Sequence, residues 1–108
     1  MKTIDIKINK EKYKIKLSNR AIIRFEDLKQ KSFANITDRL DDIYTLMYSC
    51  LVVNNENFNY GYLNFLDIMD DNIQELTKFV EYFENMSGNN DETENKKKVD
   101  KILSQIMK

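Results

Sequence analysis

Apolar residues alternate with polar ones in two short runs at the start of the chain. In Thr3-Ile4-Asp5-Ile6-Lys7-Ile8 every second residue is apolar, the period of a half-buried strand. Lys12-Tyr13-Lys14-Ile15-Lys16-Leu17 repeats the alternation, with Tyr13, Ile15 and Leu17 on one face and three lysines on the other. Asn9-Lys10-Glu11 separates the runs, and a short loop containing Asn predicts a hairpin over residues 3–17. A lone hairpin is marginal in water, so its apolar face must lie on a surface supplied by the rest of the chain.

Beyond Leu17 the period changes to that of helices. Ser18 or Asn19 can cap a first helix over about 19–31, where Ala21, Ile22, Phe25 and Leu28 form an apolar stripe. Thr37 is the candidate cap of a second helix over about 38–53, with Asp38 near its positive end. From Leu40 to Val53 that helix is almost wholly apolar in its second half, which predicts a central helix enclosed by its neighbours. After the polar loop Asn54–Asn59, Tyr62, Phe65, Leu66 and Met69 share one face of a third helix over about 60–69. Asp70-Asp71-Asn72 breaks that pattern and can cap a fourth, over about 72–86, where Ile73, Leu76, Phe79, Val80 and Phe83 span an apolar arc.

These readings predict an α+β domain over residues 1–86, a β-hairpin packed on a small bundle of about four helices. Residues 87–95 contain nothing apolar to bury and read as a polar linker. Residues 96–108 read as a basic amphipathic segment with Val99, Ile102, Leu103 and Ile106 on one side. Thirteen residues are marginal as a free helix, so the segment needs its own domain, a second copy or a partner to dock on.

Composition removes several classes of function. The 108 residues include no His and a single Cys. Imidazole general-base catalysis, Cys–His or Ser–His–Asp sites and ordinary zinc sites are therefore excluded, as is an intramolecular disulfide. No apolar run reaches 18 residues and no signal-peptide core is evident, so neither a membrane span nor secretion is expected. The net charge of −1 conceals a basic–acidic–basic order. Residues 1–20 carry seven Lys/Arg against two Asp/Glu, residues 61–95 carry one against nine, and residues 96–108 carry five against one. Such separation favours head-to-tail self-association or a charged partner, unless neighbouring segments neutralise one another within the fold.

Individual constellations each have a plainer reading beside the functional one. Asn55-x-Asn57-x-Asn59 has the alternating oxygens of a calcium loop, but Tyr60 stands at the glycine position and Leu66 at the glutamate position. Asp67, Asp70 and Asp71 suit a divalent ion or, equally, a pair of helix ends. Neither metal nor cofactor is expected, and no pair of carboxylates is marked for acid–base work, so an enzyme is not expected. Lys7, Lys10, Lys12, Lys14 and Lys16 beside Tyr13 form a basic ribbon of the kind that touches phosphates, or simply a solvated strand face. Cys50 reads as core filling. Phe58, Tyr60 and Tyr62 form either a contact patch for a partner or a lid that closes the core.

The order of elements resembles the tail assembly chaperones of long-tailed bacteriophages. The likeness rests on the lysine-rich hairpin, the phrase Arg20-Ala21-Ile22-Ile23-Arg24-Phe25-Glu26-Asp27-Leu28 and the basic stretch Lys29-Gln30-Lys31-Ser32-Phe33. It continues through the apolar helix Ile43–Val53, the phrase Phe65-Leu66-Asp67-Ile68-Met69-Asp70 and the acidic helix from Ile73 to Glu84, spanning residues 3–86. Gln30 stands where that family often has a glycine. The resemblance implies a non-enzymatic assembly factor of the bacterial host cytoplasm, absent from the finished virion. Its partners would be the tape-measure protein, whose apolar helix it coats, and the tail-tube protein, whose subunits it recruits. It also implies a longer product made by ribosomal slippage, for which Lys96-Lys97-Lys98 would supply an A-rich run. Two other classes stand beside it: a small nucleic-acid-associated regulator using the lysine ribbon, and an adaptor domain that forms a homo-oligomer through residues 96–108.

Overall fold

The computed structural model describes residues 3–86. The expected linker 87–95 and the segment carrying Val99, Ile102, Leu103 and Ile106 lie outside the described residues. Strands β1 (Thr3–Ile8) and β2 (Glu11–Lys16) pair antiparallel, with Ile8 opposite Glu11 and Thr3 opposite Lys16. The loop is tighter than the sequence suggested, because Glu11 already belongs to β2. Asn9 and Lys10 alone make the turn, both at positive φ (52° and 72°), the signature of a type I′ turn whose twist matches the strands. The register puts Ile6, Ile8, Tyr13 and Ile15 on the buried face and leaves the lysines on the open one.

Among the described residues four helices follow, α1 (Asn19–Lys29), α2 (Leu40–Asn54), α3 (Tyr62–Met69) and α4 (Ile73–Met86), and of these α2 packs on β2 and α4 on β1. Ser18 caps α1, its hydroxyl accepting from the Ala21 N–H at 3.2 Å. Ala21 and Phe25 carry the buried stripe of α1, whereas Leu28, expected in that stripe, is 45% exposed. The helix stops at Gln30, which takes a left-handed conformation (φ 55°, ψ 42°) and donates its backbone N–H to Glu26. That is the geometry glycine adopts most cheaply, at the position where the resemblance expects one.

Between α1 and α2 a short 3-10 turn, Phe33–Asn35, was not foreseen in the sequence. Phe33 inserts edge-on between Phe25 (5.8 Å) and Phe83 (6.1 Å), tying the connection to the core. Thr37 does not cap α2. Its hydroxyl donates to Asp42 at 2.8 Å and accepts from the Arg39 N–H at 3.2 Å, one residue ahead of the helix, and α2 begins at Leu40 behind Arg39, which provides no side-chain cap.

The α2 helix is the enclosed central helix that its composition predicts, with Ile43, Leu46, Met47, Cys50 and Leu51 buried. Thr45 and Ser49 are buried too, because each hydroxyl donates to the carbonyl four residues back, at 2.7 and 2.8 Å. At its C-terminal end Asn54 and Asn55 bond both the helix and the hairpin. Asn55 accepts from the Lys14 N–H (2.9 Å) and donates to the Lys14 carbonyl (2.8 Å), while Asn54 donates to the Lys16 carbonyl (2.9 Å). The outer edge of β2 is thereby sealed. Gly61 precedes α3 as its cap and does not lie inside the helix. In α4, Tyr82 joins the buried arc, its hydroxyl accepting the Leu17 N–H at 3.0 Å.

Candidate functional site

The three aromatic residues proposed from the sequence as a contact patch do not share one surface. Phe58 is 5% exposed and packs edge-on against Tyr13 (5.3 Å) and Tyr48 (5.9 Å), closing the core beneath the hairpin. Tyr60 is half-buried above it, with its ring 5.3 Å from Phe58 and its carbonyl accepting from the Tyr48 hydroxyl. Tyr62, the first residue of α3, lines a surface depression.

Tyr62 stands between two adjoining hollows. The larger, of about 660 Å³, is lined by Leu40, Tyr44, Tyr62 and Leu66, with Arg39, Asp41 and Asp70 at its polar margins. The smaller, of about 310 Å³, is lined by Leu28, Lys29, Asp41, Thr45 and Tyr62. They share Asp41 and Tyr62, so together they form one furrow from the end of α1, across the start of α2, to α3. Leu28 is exposed because it forms one wall of this furrow rather than part of the core.

The furrow is held from below. Thr45 and Tyr62 bring their hydroxyls to 3.1 Å, and the Tyr62 ring lies 5.4 Å from Tyr48. Tyr44 packs edge-on against Phe65 at 5.9 Å; burial, reinforced by the charge of Asp70, pushes its phenol up to about 12. Asp41 takes a 2.7 Å ion pair from Lys29 and a 3.2 Å pair from Arg39, both of which hold its carboxyl below the usual range.

Directly behind Asp41 lies a group that sequence reading missed. Asp42 is 1% exposed and receives Lys31 at 2.7 Å, Lys29 at 3.2 Å, and both the N–H (2.9 Å) and the hydroxyl (2.8 Å) of Thr37. Glu26 adds a bond from the Phe33 N–H at 2.8 Å. Together these anchor residues 31–37 and fix the angle at which α1 meets α2. The available signal was the pair Lys29 and Lys31 just before a helix whose first turn carries two aspartates.

The remaining candidates stay apart from the furrow. Asn55 spends its side-chain oxygen on Lys14, the strand edge it seals, so it is committed elsewhere than to a calcium loop. Among the described residues no group of three or more His, Cys, Asp or Glu is placed to hold a metal ion. Cys50 is fully buried, and burial pushes its thiol up to about 12. Lys7, Lys12, Lys14 and Lys16 lie on the open face of the hairpin, away from the furrow. Comparison with family models, curated proteins and solved structures finds no match to this chain.

Proposed function

We propose that this protein is a non-enzymatic tail assembly chaperone, which covers the apolar helix of a tape-measure protein and helps to recruit tail-tube subunits. The observation that carries the reading is the furrow: an open, mainly apolar channel between α1, α2 and α3, with Lys29, Arg39, Asp41 and Asp70 along it. A helix laid in such a groove buries its i, i+3, i+4 and i+7 side chains and keeps its polar face in water. Leu28, Leu40, Tyr44, Tyr62 and Leu66 supply the complementary apolar surface. Single-copy binding of this kind is weak; many copies along one filament hold by avidity and leave one at a time as tube subunits arrive. No described helix is long and apolar enough to cross a membrane, in keeping with action in the host cytoplasm.

The reading is tested by light scattering from an aggregation-prone segment of tape-measure helix, with and without the full-length protein. The account expects suppression that is lost in Leu66→Asp. An unchanged scattering curve overturns it. A second reading rests on the lysines of the open hairpin face, an arrangement suited to nucleic-acid phosphates. It requires binding to DNA or RNA that falls steeply with salt and is insensitive to Leu66→Asp.

A further inference from the structure

The hairpin has two outer edges, and the protein treats them differently. A two-residue turn with Ile8 opposite Glu11 makes alternate pairs exchange backbone hydrogen bonds, so the pairs between them direct their N–H and C=O groups outward. On β2 the outward residues include Lys14 and Lys16, which Asn55 and Asn54 engage. On β1 they are Thr3, Asp5 and Lys7. Among the described residues no hydrogen bond reaches the backbone of these three. The edge carries neither proline nor bulge, two of the devices that prevent pairing, and its charges are the opposite pair Asp5 and Lys7. A hollow of about 750 Å³ runs beside it, between Thr3, Ile4 and Asp5 on one side and Lys78, Glu81 and Met86 of α4 on the other.

We propose that the β1 edge is a self-association surface, on which β1 of a second copy pairs antiparallel about a twofold axis to give a four-stranded sheet. Outward residues must meet outward residues. Two registers then pair a single outward residue, Thr3 with Thr3 or Lys7 with Lys7, and three give Asp5 a partner within the strand. One sets Asp5 against Asp5 of the second copy, a like-charge pair that opposes association. Another sets Asp5 against Thr3 and leaves Lys7 with no acidic partner. The third sets Asp5 opposite Lys7, and the twofold axis repeats the pair as Lys7 opposite Asp5. Asp5 and Lys7 are both exposed on the open sheet face, free to form these two ion pairs. Charge complementarity therefore selects one register and selects this chain as the occupant. The surface lies on the hairpin, away from the furrow between α1, α2 and α3, so it stands or falls independently of the function proposed above.

Sedimentation of the full-length protein over a concentration series tests the proposal, together with amide hydrogen exchange. The account expects a mass rising from one chain towards two, with protection of the Asp5 and Lys7 amides that grows with concentration. Asp5→Lys places lysine opposite lysine twice and is expected to weaken association by about tenfold or more, since each cross-strand pair changes sign. The double exchange Asp5→Lys with Lys7→Asp restores both pairs and should return association to near the starting value. A single-chain mass at every concentration overturns the proposal, as does a dimer indifferent to Asp5→Lys. Protection of the two amides in the monomer also overturns it, by showing that another part of the same chain occupies the edge. The exchange measurement on the unaltered protein decides the matter even where a charge variant fails to fold.

Discussion

Lys31 reaches Asp42 at 2.7 Å across the joint between α1 and α2, and the carboxylate it meets is almost wholly buried. Burial alone would raise the pKa of Asp42. Hydrogen bonds from Lys31, Thr37 and Lys29 outweigh it and hold the carboxyl far below the usual range. In the unfolded chain the same group titrates near pH ~3.9. Its folded-state pKa is thus depressed, so its contribution to stability is complete above about pH 5 and drains away as the pH falls below about 4. Asp42→Asn should cost about 2–3 kcal/mol at neutral pH, below the range for a fully buried pair because both lysines are partly solvated. Urea unfolding at pH 7 and pH 3 checks this: the variant should lose much of the acid sensitivity of the parent.

Gln30 ends α1 in the left-handed region at φ 55°. An L-residue pays roughly 1–2 kcal/mol there, and glycine gives back about 0.5–1 kcal/mol through the flexibility of the unfolded chain. The Gln30 side chain adds one exposed bond to the Asp27 carbonyl, worth little in water. Gln30→Gly should therefore stabilise the protein by about 0.5 kcal/mol, read as a higher urea midpoint with an unchanged slope. A lower midpoint would show that the side-chain bond outweighs the backbone strain.

Asn55 joins the end of α2 to the edge of β2 through two bonds to Lys14 and one to the Leu51 carbonyl. Asn55→Ala should cost about 1–2 kcal/mol, since the groups it releases are only partly screened from water. The sharper sign is local: the Lys14 amide should exchange much faster with solvent while the Ile15 amide, bonded within the hairpin, changes little.

Cys50 sits at the centre of the core with no route for a reagent. Its thiol is pushed up to about 12 by burial, so almost no thiolate exists at pH 8. Modification by a disulfide reagent should proceed only as fast as the protein opens, and should accelerate steeply near the urea midpoint. Rapid labelling of the native protein would show that α2 is less enclosed than its packing indicates.

Much of the fold was legible because period and polarity agreed. The two alternating runs gave the hairpin and its buried face, and the nearly continuous apolar run of α2 marked the central helix. The boundaries shifted where one side chain had two competing uses. Thr37 has the chemistry of a helix cap, but its oxygen accepts from the Arg39 N–H just ahead of α2 while its proton goes to Asp42, and no local pattern announces that choice. Asp42 itself reads as a surface charge favouring a helix dipole, because a buried carboxylate is recognisable only once Lys29, Lys31 and Thr37 converge on it. The furrow was half visible. Tyr62 was singled out as a contact residue, but Leu28, Tyr44 and Leu66 carry the same helical spacing as core residues. What distinguishes them is how the short α3 lies across α2, a tertiary fact. Phe58 shows the converse: the sequence left this loop aromatic open to a contact patch or a core lid, and packing against Tyr13 and Tyr48 makes it the lid.

The central claim is that the furrow between α1, α2 and α3 receives an apolar helix. Amide chemical shifts of the isotope-labelled full-length protein, followed during titration with an amphipathic tape-measure peptide, test it most directly. The account expects saturable changes centred on Leu28, Leu40, Tyr62 and Leu66, with the hairpin lysines unmoved. Shifts confined to Lys12, Lys14 and Lys16, or none at any peptide concentration, would contradict it.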